Sequence, residues 1–425
     1  DMTDRPSTLH STASSTPSPT LQPILARQPI LDRSLKVVAY ELLCRPVPQD
    51  TEAWQNANGC HATTEVVIGA VHEIGLNIVT GNKPAFVNFT EEWLHRAPPM
   101  PPEDMVVEIL EHIPRTPEAE AAVLALRQAG YRIAVDDFTG NCDQAQWFDL
   151  ADVVKLDLLG VQDIQQACAL REKYHRPGLT WLAEKVETYD EFNTLAQAGF
   201  DLFQGFFYSK PTPVYGKRRP DSQMAVMQLL GTLNQSDAGP KDVSQCISND
   251  PQLSFRLMQM ANSASVNPGA AVTTLQRATA LLGLTRIRQW ANLLALGKLS
   301  DKPAVLQQQA LYRAHLCQEI SEAMPSHSMD PDTAFTLGLF SLLDAMMDTP
   351  INELCARLQL PEELSSALTQ HQGQYGRLLQ AVEAWEQATP ESIPWSQLGL
   401  TSPEMEGAIE RALVAMNRSA GLLNG

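Results

Sequence analysis

The stretch Tyr131-Arg132-Ile133-Ala134-Val135-Asp136-Asp137-Phe138 decides how the chain is read. Its alternation at Tyr131, Ile133 and Val135 predicts a strand, and the proline-free lead-in from Glu118 to Ala129 predicts a helix before it. The strand ends in two adjacent carboxylates. Such a pair repels itself, so a fold keeps it at a strand end only against a cation or in open water. Taken alone, Asp136-Asp137 reads as a solvated turn, and the neighbouring segments have to decide otherwise.

Outward from that strand the pattern repeats. Strands are expected at Ile24–Ile30, Val37–Leu43, Ala85–Phe89, Met105–Ile109, Ile133–Asp136, Val153–Leu156, Trp181–Glu184 and Leu202–Phe203. Helical periodicity lies between them near 62–79, 117–129, 161–174 and 189–198. Strand–helix alternation calls for a parallel sheet, and about eight strands in roughly 190 residues fit a closed α/β TIM-like barrel. An open doubly wound sheet is the alternative; the chain has no Gly-x-Gly-x-x-Gly turn to favour it.

The polar residues fall where they matter. Each strand carries at or near its end a carboxylate, amide or lysine: Glu41, Asn88, Glu108, Asp136 with Asp137, Lys155 with Asp157, Glu184 and Gln204. Barrel strand ends converge on one rim, where active sites are built. Oxygen donors gathered there with one lysine suit a hard cation.

The character changes after about residue 212. A stretch from Pro213 to Pro220 with Gly216, Lys217, Arg218 and Arg219 reads as a linker, and from Ser222 onward helical periodicity dominates. Expected helices include 224–233, 253–262, 275–282, 286–296, 304–323, 334–347 and a tail near 401–422. The domain reading is a disordered leader at 1–22, a barrel at 23–212, a linker at 213–221 and an all-α domain at 222–425.

Composition bounds the rest. The 425 residues carry a net charge of -18 with 44% hydrophobic residues, the profile of a globular protein without an extended nucleic-acid face. The seven cysteines are scattered with no Cys-x-x-Cys pair, which fits a reducing cytoplasm better than a zinc ribbon or a disulfide framework. No apolar run is long enough to span a bilayer, and Asp1–Pro6 lacks the basic-then-apolar pattern of a secretory signal. A cytoplasmic location is expected.

Residues 24–212 resemble the EAL domains, which hydrolyse the second messenger cyclic di-GMP on a TIM-like barrel. The carrying motifs are Glu41-Leu-Leu-Cys-Arg45, Phe86-Val-Asn88-Phe, Val106-Val-Glu108, Asp136-Asp137-Phe138, Lys155-Leu-Asp157, Ala183-Glu184-Lys-Val-Glu187 and Gln204-Gly205-Phe206, in the family's order. Residues 222–400 resemble the all-helical HDOD domain through Asp250-Pro-Gln-Leu-Ser-Phe-Arg-Leu-Met-Gln-Met-Ala-Asn262-Ser263 and Leu281-Leu-Gly283-Leu. Where an HD phosphohydrolase has adjacent His-Asp, the chain reads Gly338-Leu-Phe-Ser-Leu-Leu-Asp344, so metal chemistry is not expected in this half. His315 and His371 read as packed or surface histidines, and Met258, Met260, Met324, Met346 and Met347 as core filler. The combination is the YuxH-like one.

The resemblance implies a two-metal centre loaded with Mg²⁺ or Mn²⁺. Glu41, Asn88, Glu108 and Asp136 would hold one ion, and Asp136 with Asp137 a second. It makes Lys155, Glu184, Glu187 and Glu41 catalytic, and Gln28, Arg45, Asp157 and Gln204 ligand-binding. The product would be linear pGpG, the barrel would pair as a homodimer, and the helical domain would regulate or dock a signalling partner. A catalytically silent cyclic di-GMP receptor is the alternative. The chain departs from the family at Leu42, at Lys185 in place of glycine, and in the loop Thr139-Gly-Asn-Cys-Asp143.

Overall fold

The computed structural model describes residues 24–45, 59–211, 221–235, 237–263, 269, 273–299, 302–358, 360–387 and 398–424. The expected leader at 1–22 and the linker core at 213–220 lie outside the described residues.

Eight strands close a barrel in sequence order: β1 (Ile24–Asp32), β2 (Val37–Arg45), β3 (Ala85–Phe89), β4 (Met105–Ile109), β5 (Arg132–Phe138), β6 (Val153–Asp157), β7 (Thr180–Glu184) and β8 (Leu202–Phe203). The sheet is not wholly parallel, as the alternation had suggested: β1 runs antiparallel to both β2 and β8. The cause is local. Asp32 Oδ1 accepts from the backbone N–H of Ser34 and Lys36, and Leu35 takes a φ of 62°, so the chain reverses in a tight turn that only an antiparallel pair can follow. The remaining neighbours from β2 round to β8 are parallel.

Helices α1 (Gly59–Ile74), α2 (Leu76–Thr80), α3 (Pro117–Gln128), α4 (Ile164–Tyr174) and α5 (Tyr189–Gln197) join the strands. The single helix expected near 62–79 is broken at Gly75, whose φ of 97° only glycine adopts at little cost. Helix starts follow their caps. Thr116 accepts from Ala119 N–H ahead of Pro117, and Thr188 forms a reciprocal capping box with Glu191.

Beyond the barrel the structure is helical: α6 (Asp221–Leu233), α7 (Pro240–Ser248), α8 (Pro251–Ala261), α9 (Leu275–Leu282), α10 (Leu284–Leu296), α11 (Ala304–Ala323), α12 (Pro331–Phe340), α13 (Leu343–Met347), α14 (Ile351–Leu358), α15 (Glu362–Gln370), α16 (Gly373–Glu386) and α17 (Ser402–Asn424). α11 is the hub, buried on several faces through residues such as Leu306, Ala310, Ala314, Cys317 and Ile320. Gly338 lets α12 approach it, since a Cβ there would stand 2.5 Å from the Arg313 carbonyl oxygen. Met260, Met324, Met346 and Met347 are buried, as core filler should be. None of the helices among the described residues is long and apolar enough to cross a membrane.

The two halves share one apolar core. They meet at the hairpin, where β1 is packed both by α1 of the barrel and by α17 of the helical half. Arg27 on β1 donates to the Val79 carbonyl at 2.7 Å, contacts Met416 Sδ on α17 at 3.4 Å and lies over the Tyr40 and Tyr312 rings. Asn417 of α17 donates to the Ile78 carbonyl at 2.9 Å. A small cavity at this joint is lined by Gln28, Tyr40 and Phe206 of the barrel and by Gln309, Tyr312 and Glu386 of the helices.

Both histidines are accounted for by packing. His371 takes the left-handed position after α15 and pairs with Glu383 at 2.8 Å. His315 sits edge-on to Phe335 with Ser419 Oγ 3.0 Å from Nε2, and burial pushes its pKa down to about 4. A histidine depressed on folding contributes stability in full above its unfolded pKa and loses it as pH falls from about 6.5 through 4. Urea titrations at pH 7 and pH 4.5 are expected to show a loss of roughly 2 to 3 kcal/mol that a His315→Leu variant lacks. Residues 24–211 expressed alone should melt roughly 5 °C or more below the full chain, because β1 then loses the apolar cover of α17; scanning calorimetry on both checks this.

Candidate metal centre

The barrel interior is built in two layers. Ala39, Phe86, Val106, Ala134, Val153 and Leu182 form an apolar floor together with Ile30. Two residues further along each parallel strand, hence on the same face, stand Glu41, Asn88, Glu108, Asp136, Lys155 and Glu184. Period-two geometry therefore lifts every polar residue onto one ring above a dry floor. Gln28 faces Glu41 across the β1–β2 register, and Gln204 follows β8.

Lys155 occupies the middle of the ring and is fully buried. Its ammonium nitrogen lies 2.9 Å from Glu108 Oε1, Asp136 Oδ1 and Glu184 Oε1, and 3.2 Å from Glu41 Oε1. Burial opposes its charge, but the four carboxylates outweigh that and hold the ammonium well above its ordinary pKa. Four carboxylates against one ammonium leave a deficit of positive charge. Protons meet part of it: burial pushes the Glu184 carboxyl up to about 8 and Glu108 well above the carboxylate range, although Lys155 pulls both the other way.

The donor set fits a hard cation. Carboxylate oxygens of Glu41, Asp136 and Glu184 come within 4.8 Å of one another. Glu108 Oε2, Glu184 Oε2, Asn88 Oδ1 and Gln204 Oε1 are buried with no hydrogen-bond partner, and such oxygens carry a desolvation cost until something cationic or donating meets them. All are oxygen donors, the chemistry of Mg²⁺ or Mn²⁺ rather than Zn²⁺.

The neighbours of the ring hold it in shape. Gln204 Nε2 donates to Glu41 Oε2 at 2.9 Å. The backbone of Gln204 is pinned by its own N–H to Ala183 and by Val186 N–H to its carbonyl. Gly205 is obligatory there, since at φ 141° a Cβ would stand 2.1 Å from the Val186 carbonyl oxygen. Thr64 Oγ1 donates to the Asn88 carbonyl at 2.6 Å. These braces were not read from the sequence, although the glycine after Gln204 was the available signal.

The aspartate pair is split by a bulge. The β5–β6 register shifts between Val135 and Phe138, and Asp137 takes a φ of 49°. Asp136 joins Lys155, whereas Asp137 lies outside that set of ion pairs and is half-buried. Burial first, and then Asp136, push its carboxyl up to about 6. The loop behind it is tied down: Gln144 Oε1 accepts from Thr139 N–H and Oγ1, and Gln144 Nε2 donates to the Asp137 carbonyl.

The remaining expected site residues divide. Both Asp157 oxygens have protein partners, Oδ1 accepting from Leu159 N–H at 2.9 Å and Oδ2 meeting Lys185 Nζ at 2.6 Å, so its first role is to brace the rim. Glu187 is exposed in the turn before α5 and makes none of the ion pairs of the ring. Arg45 ends β2, and its side chain lies outside the described residues.

Removing the central charge should be costly. Lys155→Met leaves buried carboxylates without a counter-charge and is expected to destabilise the metal-free protein by about 3–5 kcal/mol. Urea unfolding in chelator measures this, and Mn²⁺ should restore part of the loss where K⁺ does not.

The EAL domain model matches residues 61–211 and the HDOD domain model residues 220–374. The matched EAL segment begins after β2, yet β1 and β2 close the barrel and β2 carries Glu41. YuxH of Bacillus subtilis is 33% identical over 373 residues, 85% of this chain and 90% of that protein. The cyclic di-GMP phosphodiesterase CdgJ of Vibrio cholerae is 31% identical over 373 residues, 86% of this chain and 85% of that protein. A solved EAL domain protein from Listeria monocytogenes is 20% identical with a TM-score of 0.35, covering 44% of this chain and 87% of its own. The chain belongs to the YuxH-like family of proteins that join an N-terminal EAL domain to a C-terminal HDOD domain.

Proposed function

We propose that the protein is a metal-dependent phosphodiesterase that opens cyclic di-GMP to linear pGpG, with the helical half serving regulation or partner binding. The observation that carries this is the complete ring of Glu41, Asn88, Glu108, Asp136, Lys155 and Glu184 with buried oxygens left unpaired. Four carboxylates crowded round one ammonium keep an excess of negative charge that a bound cation would relieve. CdgJ, a relative over most of its length, is a cyclic di-GMP phosphodiesterase.

Glu41, Asn88, Glu108 and Asp136 would hold one Mg²⁺ or Mn²⁺, and Asp136 with Asp137 a second. Bound there, the ions supply the positive charge that activates water and steadies the leaving oxygen of an in-line displacement. Glu184, with its carboxyl in the ring beside the proposed metal ligands, is placed to serve as the general base. Lys155 keeps Glu184 aimed into the ring at 2.9 Å and offers the same ammonium to the developing charge. Water forms the new P–O bond as the bond to the ribose oxygen breaks, Glu184 takes the proton of the water, and the departing ribose oxygen takes a proton from solvent. Gln204 holds Glu41 in place. Gln28 and Arg45 are proposed to engage the ligand, Arg45 through a bidentate phosphate contact.

The test is turnover of cyclic di-GMP by the full chain with Mg²⁺ or Mn²⁺. Linear product is expected, and Glu184→Gln should lose about 10²- to 10⁴-fold in kcat. Tight binding with no product would replace this reading by a receptor that binds the nucleotide without cutting it.

A further inference from the structure

Lys185, next to Glu184 at the ring's rim, is a cation that the proposed mechanism leaves unused. It follows Glu184 directly, and its φ of 59° is a left-handed conformation that costs a lysine free energy. Burial does not demand it, since the side chain is 47% exposed. The conformation redirects the chain after β7. Glu184 turns inward to Lys155, while Lys185 reaches across the β6–β7 pair to Asp157 at 2.6 Å. Asp157 ends β6, which pairs with β5 at Leu156–Phe138 and with β7 at Asp157–Glu184, so Lys185 reaches from the end of β7 towards the end of β5 that carries Asp137. The left-handed residues Asp137 and Lys185 thus stand at the ends of β5 and β7, with Asp157 of β6 between them. Strain of this kind persists where the surroundings enforce it, and it collects at working sites.

We propose that Lys185 is a built-in counter-cation on the Asp137 side of the ring, and that it weakens uptake of a divalent ion there while leaving the ion held by Glu41, Asn88, Glu108 and Asp136 untouched. A fixed ammonium repels an incoming dication and already serves part of the negative charge that would attract it. The inference rests on the reading of the ring as a cation site and adds to it an inequality between the two positions. Lys185 is here a positioning residue, acting on the metal through Asp137 and Asp157.

Mn²⁺ titration of the chelator-stripped full chain without nucleotide, followed by calorimetry and by the electron paramagnetic resonance of free Mn²⁺, reads this directly. The intact protein is expected to bind one ion tightly and a second weakly. Lys185→Met should tighten the weak step on the order of tenfold and leave the tight step unchanged. Lys185→Arg, which keeps the charge, should titrate as the intact protein does. Lys185→Gly, which removes charge and backbone strain together, should match the methionine variant and guards against misfolding. Superimposable curves for all four proteins, or equal tightening of both steps, overturn the role of Lys185 alone. Absence of Mn²⁺ binding in every protein overturns both this inference and the cation site beneath it.

Discussion

Lys155 in the barrel's centre is the constraint on which the site depends. An ammonium withdrawn wholly from water survives only because carboxylates from β2, β4, β5 and β7 close on it. Those carboxylates in turn could not be packed together without it. Each of β2, β4, β5, β6 and β7 contributes one charge to the ring, and each of these stands two residues above an apolar floor residue on the same face. The site and the barrel closure are therefore one problem: a slip of one residue in any strand would turn its acid out of the ring and its apolar neighbour in.

A second dependence runs through the β1–β2 hairpin. By reversing direction, β1 brings Gln28 opposite Glu41, and it is packed both by α1 of the barrel and by α17 of the helical half. Arg27 is held between the Val79 carbonyl, Met416 and the aromatic rings. The helical half is thus part of the barrel's wall. It reaches within one strand of the ring, and the cavity shared by Gln28, Phe206, Tyr312 and Glu386 marks the contact.

Much of this was legible in the sequence, and the residues show why. Strand periodicity is local, so the strands, their polar ends and the helices between them were readable from alternation and helical spacing alone. The missing histidine before Asp344 was equally plain, and the packed settings of His315 and His371 agree with it. Less legible were the antiparallel course of β1, the break at Gly75, and the exposure of Glu187, which a motif places but only a turn orients. The bulge that separates Asp137 from Asp136 was also hidden, because a register shift depends on the partner strand.

The sequence by itself determined which residue types stand at each strand end, since a period of two needs nothing beyond neighbouring residues. It determined the helical second half in the same way, through apolar spacing, threonine and aspartate caps, and proline starts. The meeting of Lys155 with four acids, the bracing of Glu41 by Gln204, the left-handed turns at Asp137 and Lys185, and the cover over β1 belong to the tertiary structure. Distances between strands are set by closing the barrel, and no local pattern in the chain encodes them.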